Sequence, residues 1–152
     1  FAVLRGALTP AEVAGVNSEA LRICRAGLNP DDDAADAHPG QSDADVLRQY
    51  LCIHHPHKIS EVARQIMRHP RMVEGLTKVI GPNVKAMQSM LFIKSEGKPG
   101  QAWHQDEHFI PTRDRSLAGV WIALDDATTG AHPHPGGKGQ QEERLDQHNV
   151  AQ

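Results

Sequence analysis

The spacing of apolar residues changes once along the chain, from a helical period to an alternating one. Residues 1–5, Phe-Ala-Val-Leu-Arg, read as a short strand that Gly6 breaks. A helix start follows. Thr9 can cap, Pro10 suits the first helical position, and Glu12 stands three residues after Thr9, completing a capping box. Val13, Val16, Ala20, Leu21 and Cys24 recur at helical spacing and Gly27 stops them, which predicts a helix over 10–26. Ser60 can cap a second helix over 61–69, with Val62, Ile66 and Met67 inward. Pro70 opens a third, whose apolar face is Met72, Val73, Leu76, Val79 and Ile80, and Gly81-Pro82-Asn83 ends it.

From residue 84 the period is two. Val84, Ala86, Gln88, Met90 and Phe92 alternate with Lys85, Met87, Ser89, Leu91 and Ile93, which predicts a strand over 84–93, buried on both faces in its second half. Gly97-Lys98-Pro99-Gly100 reads as a turn and Trp103–Ile110 as a second strand. Leu117–Leu124 is a nearly continuous apolar strand that Asp125-Asp126 ends. Helices first and strands afterwards argue for an α+β fold rather than alternating βαβ units.

Two segments fit neither period. Residues 29–45 hold Asp31, Asp32, Asp33, Asp36, Asp43 and Asp45 without a Lys or Arg, and read as a solvated acidic loop. Their spacing does not match a Ca²⁺-binding loop. Residues 129–152 begin with Gly130-Ala-His-Pro-His-Pro-Gly-Gly137 and continue as a polar stretch, so an irregular or disordered tail is expected there. Between the acidic loop and Ser60 lie Val46, Leu47, Leu51 and Ile53, then the cluster His54, His55, His57 and Lys58.

Composition narrows the function. With 152 residues the chain suits one domain, and 39% apolar content with few aromatics implies a core of aliphatic side chains. Sixteen Lys and Arg against 19 Asp and Glu give a net charge of −3. That balance supplies no basic footprint for nucleic acid. No apolar run is long enough to span a bilayer. Two cysteines, Cys24 and Cys52, are too few for a disulfide framework, so a reducing, cytoplasmic setting is expected. Position 1 is Phe, which leads us to expect a piece of a longer chain.

Ten histidines are the first chemical hint. In Trp103-His104-Gln105-Asp106-Glu107-His108, residues two apart on a strand face the same way, so His104 and Asp106 can converge on one ion. One imidazole and one carboxylate are two of the three protein ligands in the facial triad that holds non-haem Fe(II). Spacing alone is a weak signal in a histidine-rich chain. His108, on the same face of a regular strand, is a rival ligand, and a structural sheet histidine is the plain alternative for His104.

The longer context adds weight. Gly81-Pro-Asn-Val-Lys-Ala-Met-Gln-Ser-Met-Leu-Phe-Ile-Lys94, Gly97-Lys-Pro-Gly-Gln-Ala-Trp-His-Gln-Asp106, Ile110-Pro-Thr-Arg-Asp-Arg-Ser-Leu117 and Val120-Trp-Ile-Ala-Leu-Asp-Asp-Ala-Thr128 closely resemble the phytanoyl-CoA dioxygenase family. Val3-Leu-Arg-Gly-Ala-Leu-Thr-Pro-Ala-Glu-Val13 looks like that family's opening strand and helix. The resemblance covers residues 1–128, which we take as a partial domain, with 129–152 a tail outside it. It implies N-terminal helices packed on a partial double-stranded β-helix, a jelly-roll or cupin-like barrel, here truncated. The activity it implies is an Fe(II)- and 2-oxoglutarate-dependent dioxygenase acting with O₂ on a small-molecule or acyl-type substrate. Oxidative decarboxylation of 2-oxoglutarate to succinate and CO₂ accompanies hydroxylation.

By the same resemblance His104 and Asp106 are the first two iron ligands and Lys58 contacts 2-oxoglutarate, an ammonium being a suitable partner for a carboxylate. Met90 and Trp121 match positions lining the co-substrate pocket, although plain packing explains either equally well. Gln88 shares the Met90 face and is a further pocket candidate.

After Asp125-Asp126-Ala-Thr128 the family pattern stops. The family supplies a second iron histidine and an arginine for the far carboxylate of 2-oxoglutarate. Here Thr129-Gly-Ala-His-Pro-His-Pro-Gly-Gly replaces that sequence. His132, His134 and His148 are the remaining imidazoles and Arg144 the only later arginine. None has a predicted scaffold to orient it. The expectation is a truncated oxygenase with impaired activity. The alternatives are a non-catalytic metal-binding protein using His54, His55 and His57 or His132 and His134, and an interaction module derived from the barrel.

Overall fold

Thr9 begins the first helix as its residue types require. In the computed structural model, which describes residues 2–28, 40–95, 98, 102 and 104–126, the Thr9 hydroxyl accepts the Glu12 N–H at 3.2 Å. The Glu12 carboxylate returns to the Thr9 N–H at 2.7 Å. Helix α1 runs from Pro10 to Arg25. Helix α2, Asp43–Arg48, follows with Ser42 as its cap, accepting the Asp45 N–H at 3.2 Å. Strand β1 is Cys52–His54, and a tight 3₁₀ turn, Pro56–Lys58, comes next. Helix α3 is Glu61–Met67, capped by Ser60, and helix α4 is Pro70–Ile80. Strand β2 is Met90–Phe92 and helix α5 is Asp106–Phe109.

Strands β1 and β2 pair antiparallel, with Cys52 opposite Phe92, Ile53 opposite Leu91 and His54 opposite Met90. The ladder is prolonged at both ends. Ile93 N–H donates to the Leu51 carbonyl at 2.9 Å, and His55 N–H donates to the Ser89 carbonyl at 2.8 Å. The core gathers where this sheet meets the first two helices. Ile23, Cys24, Val46, Ile53 and Ile93 are buried together, with Leu28, Leu47, Tyr50, Ile59 and Leu91 packed around them. Burying one such aliphatic side chain contributes about 1.5–3 kcal/mol. Tyr50 closes the cluster by donating its hydroxyl to the Cys24 carbonyl at 2.8 Å. Arg25 holds the Gln41 carbonyl at 3.0 Å and pairs with Asp43, which ties the end of α1 to the start of α2.

Leu8–Val120 form one compact unit. The other unit combines both chain ends, and its described residues are 2–7 and 121–126.

The fold is mixed helix and sheet, as the pattern predicts, but the described residues hold a two-stranded sheet and not a double-stranded β-helix. The predicted strand at 1–5 is absent among the described residues, where Val3 is 66% exposed. An apolar run becomes a strand only when a second strand pairs with it. The same reason shortens 84–93 to Met90–Phe92, because β1 offers a partner of only three residues. Residues 117–124 form no strand. The predicted strand over 103–110 is corrected most sharply, since Asp106–Phe109 is a helical turn. Asp106 and Glu107 favour a helix N-terminus. Glu107 also folds the chain back by accepting the Thr112 N–H and hydroxyl, both at 2.6 Å. On α4 only Met72 of the predicted apolar face is buried, near the end that His69 ties to Glu12 of α1 at 3.3 Å. Val79, the last residue but one of the helix, is 78% exposed. Of the acidic segment, 29–39 lies outside the described residues, while Asp43 and Asp45 prove to be the first turn of α2. The predicted tail, 129–152, also lies outside them.

Candidate functional site

His104 and Asp106 meet, though no strand carries them. His104 lies outside any regular element, Gln105 is extended, and Asp106 opens α5. Nε2 of His104 lies 3.2 Å from Oδ1 of Asp106. Nδ1 of the same ring lies 2.7 Å from the Ala102 carbonyl. A carbonyl can only accept, so Nδ1 carries the hydrogen of that bond and Nε2 is left to face Asp106. The Phe109 ring meets that of His104 in a T-shaped contact with 5.7 Å between centroids, so the imidazole has a third neighbour. The Asp106 carboxylate is open to solvent, and its second oxygen lies 3.4 Å from where a side chain on Gly119 would begin.

This donor pair suits a metal ion. Two adjacent ligands with bonds of about 2.1 Å stand about 3 Å apart, close to the 3.2 Å here. In the Nδ1–H tautomer both groups direct lone pairs at one another, and a cation between them relieves that repulsion. A histidine whose other nitrogen donates to a carbonyl is also the usual arrangement of a metal-ligating imidazole. The set is incomplete in this part of the chain. Among the described residues no three His, Cys, Asp or Glu side chains gather where they could hold a metal. His108 therefore does not join the pair; it lies at the end of the same helical turn, its ring against Phe109. A regular strand would have put it on the His104 face, and the turn removes it.

Lys58 and Met90 lie at the end of the sheet where His54 pairs with Met90. Lys58 ends the 3₁₀ turn that follows β1, and Met90 opens β2 opposite His54. The ammonium of Lys58 lies 3.4 Å from Nδ1 of His55. His55 is left-handed, with φ 52°, which costs a non-glycine residue about 1–2 kcal/mol. Rings of His54, His55 and His57 succeed one another with centroids 6.3 and 5.8 Å apart. They do not converge on a common point that could hold a metal, which removes the three-histidine site considered from the sequence. Gln88 is exposed and its amide reaches the Met90 sulfur only at 4.0 Å. Trp121 is 75% exposed and belongs to the unit formed by the chain ends. His132, His134, Arg144 and His148 lie outside the described residues.

Ser89 was not singled out by the sequence. It grips the Lys58 turn through two hydrogen bonds, one of them between its hydroxyl and Nδ1 of His57 at 2.7 Å. Its only sequence signal is a small polar residue among apolar neighbours in an alternating run.

Comparison with known proteins places this geometry in context. The family Phytanoyl-CoA dioxygenase (PhyH) matches residues 1–133. The chain belongs to the phytanoyl-CoA dioxygenase family. Members of the phytanoyl-CoA dioxygenase family are in general 2-oxoglutarate-dependent dioxygenases that use Fe(II) and O₂, within the wider Fe(II)/2-oxoglutarate oxygenase superfamily. No curated protein and no solved structure matches the chain. Among the described residues no helix is long and apolar enough to cross a membrane.

Proposed function

We propose that this chain is an Fe(II)- and 2-oxoglutarate-dependent hydroxylase of the phytanoyl-CoA dioxygenase type, with His104 and Asp106 as two of its iron ligands. The observation that carries the reading is the approach of Nε2 of His104 to Oδ1 of Asp106, with Nδ1 already committed to Ala102. Bound Fe(II) would supply O₂ activation coupled to decarboxylation of 2-oxoglutarate. The chain's own residues do the rest. The Ala102 carbonyl takes the Nδ1 hydrogen, so in the neutral ring Nε2 is the nitrogen that would ligate, and Phe109 packs against the ring. Asp106 contributes a negative charge that lowers the net charge of a divalent site. Lys58 provides the cation for a carboxylate of 2-oxoglutarate, and Met90 provides apolar wall. The domain spans residues 1–128, and the substrate is a small molecule or acyl chain.

Two protein ligands hold a metal weakly, and the family arginine for the far carboxylate has no counterpart in residues 116–126. We therefore expect the 152 residues alone to bind Fe(II) loosely and to turn over poorly. Succinate release from 2-oxoglutarate tests this, with the chain alone and joined to a family segment that supplies a second histidine and an arginine. Recovery of succinate only in the joined chain, abolished by His104→Ala or Asp106→Ala, supports the reading. Metal binding that survives both substitutions would point instead to a non-catalytic metal-binding protein.

A further inference from the structure

Ser89 contacts the turn that bears Lys58 through its carbonyl and its hydroxyl. Its carbonyl accepts the His55 N–H at 2.8 Å, and its hydroxyl lies 2.7 Å from Nδ1 of His57. The turn between them is closed on itself. Lys58 N–H donates to the His55 carbonyl at 2.9 Å, Arg64 Nη1 donates to the His57 carbonyl at 2.8 Å, and Pro56 is buried beneath. The left-handed His55 persists because these contacts over-determine it, and such conformations gather at ligand clamps and active sites. The lysine thus combines an exposed side chain with a fixed base. Ser89 also immediately precedes Met90, which pairs with His54, so one short stretch of chain bears on both Lys58 and Met90.

We propose that Ser89, acting through His57, is a positioning residue that presets Lys58 for a carboxylate of 2-oxoglutarate. The proposal rests on the reading of Lys58 as a co-substrate ligand. Its physical basis is preorganisation. A long cation on a loose turn must be ordered when the anion arrives, and that cost weakens binding; a turn already fixed by the fold avoids most of it.

The test is calorimetric titration of the 152-residue chain with 2-oxoglutarate in the presence of Mn(II), paired with ¹⁵N NMR of the His57 ring. Lys58→Ala should weaken binding by about 10- to 100-fold, as loss of a charge-assisted contact implies. Ser89→Ala should weaken it by about 3- to 10-fold and shift the His57 Nδ1 resonance, as loss of one hydrogen bond implies. Ser89→Thr, which keeps the hydroxyl, should restore both. In the Lys58→Ala background, Ser89→Ala should cause no further loss, because its effect travels through the lysine. His57→Phe serves as a second variant should Ser89→Ala fail to fold, and should give the same loss of affinity. Unchanged affinity in Ser89→Ala or His57→Phe, with Lys58→Ala still impaired, overturns the positioning role alone. Unchanged affinity in Lys58→Ala overturns the reading of the lysine, and the proposal with it.

Discussion

The buried hydroxyl of Ser60 serves two helices at once: it caps α3 by accepting the Ala63 N–H at 3.1 Å, and it hydrogen-bonds the Glu19 carboxylate on α1. Arg22 completes the arrangement, with Nε 2.7 Å from Glu19. The Arg22 hydrogen bond, and behind it Ser60, hold the Glu19 carboxyl at about 2, against the partial burial that opposes ionisation. A carboxylate with a depressed folded-state pKa stabilises the fold above its unfolded value and loses that contribution as pH falls through the folded one. Stability should therefore decline as pH drops from about 4.5 towards 2. Because Arg22 is half exposed, we expect a contribution of about 1–2 kcal/mol rather than the full value of the shift. Urea unfolding at pH 7 and pH 2.5 should show Glu19→Gln with a flatter pH profile than the unmodified chain.

If His104 and Asp106 ligate as proposed, removal of either side chain should raise the dissociation constant for Mn(II) by at least about tenfold, since even residues that merely support ligands are worth 10- to 100-fold. Electron paramagnetic resonance of free Mn(II) reads this directly. Binding unaffected by both His104→Ala and Asp106→Ala would show that the metal sits elsewhere.

In the core, Ile53 is fully buried between the sheet and the first two helices. Ile53→Ala should cost about 2–5 kcal/mol, the sum of lost burial and the cavity left behind. The denaturation midpoint should fall while the slope of the transition holds; a cost below 1 kcal/mol would mean that the cluster collapses around the gap.

The capping box of α1 is exposed, so its energy is local. Thr9→Ala should cost about 1 kcal/mol. Thr9→Ser, which keeps the hydroxyl, should cost far less, and thermal melts of the two variants separate loss of the cap from loss of the methyl group.

How much of this was legible in the sequence depends on whether an element is specified locally. Thr9, Ser60 and Pro70 start their helices by chemistry that lies within three residues, and the helices stand where those residues put them. The capping signal at Ser42 was equally local, but the surrounding aspartates masked it. Strands are different. The alternation over 84–93 says which residues can face a core and not how many find a partner, and three do. The approach of His104 to Asp106 was legible for a related reason. The His104-x-Asp106 spacing brings its side chains together on a strand or at the mouth of a helical turn, so the pairing survived an error in secondary structure that removed His108. Ser89 was out of reach, because its role depends on His55 and His57, more than thirty residues earlier in the chain.

Cys24 is fully enclosed in the core, and burial pushes its thiol up to about 11. The thiolate is the form that reacts, so alkylation near neutral pH has to wait for the cluster around Ile23, Val46 and Ile53 to open. The residue is in effect a clock for that opening, and mass analysis of separate peptides keeps its signal apart from that of the less buried Cys52. Because Ile53 stands at the centre of β1 and the Lys58 turn begins just beyond that strand, an anion captured by the lysine should slow the clock. The interior of the protein would then report on an event at its surface, without a probe attached to either.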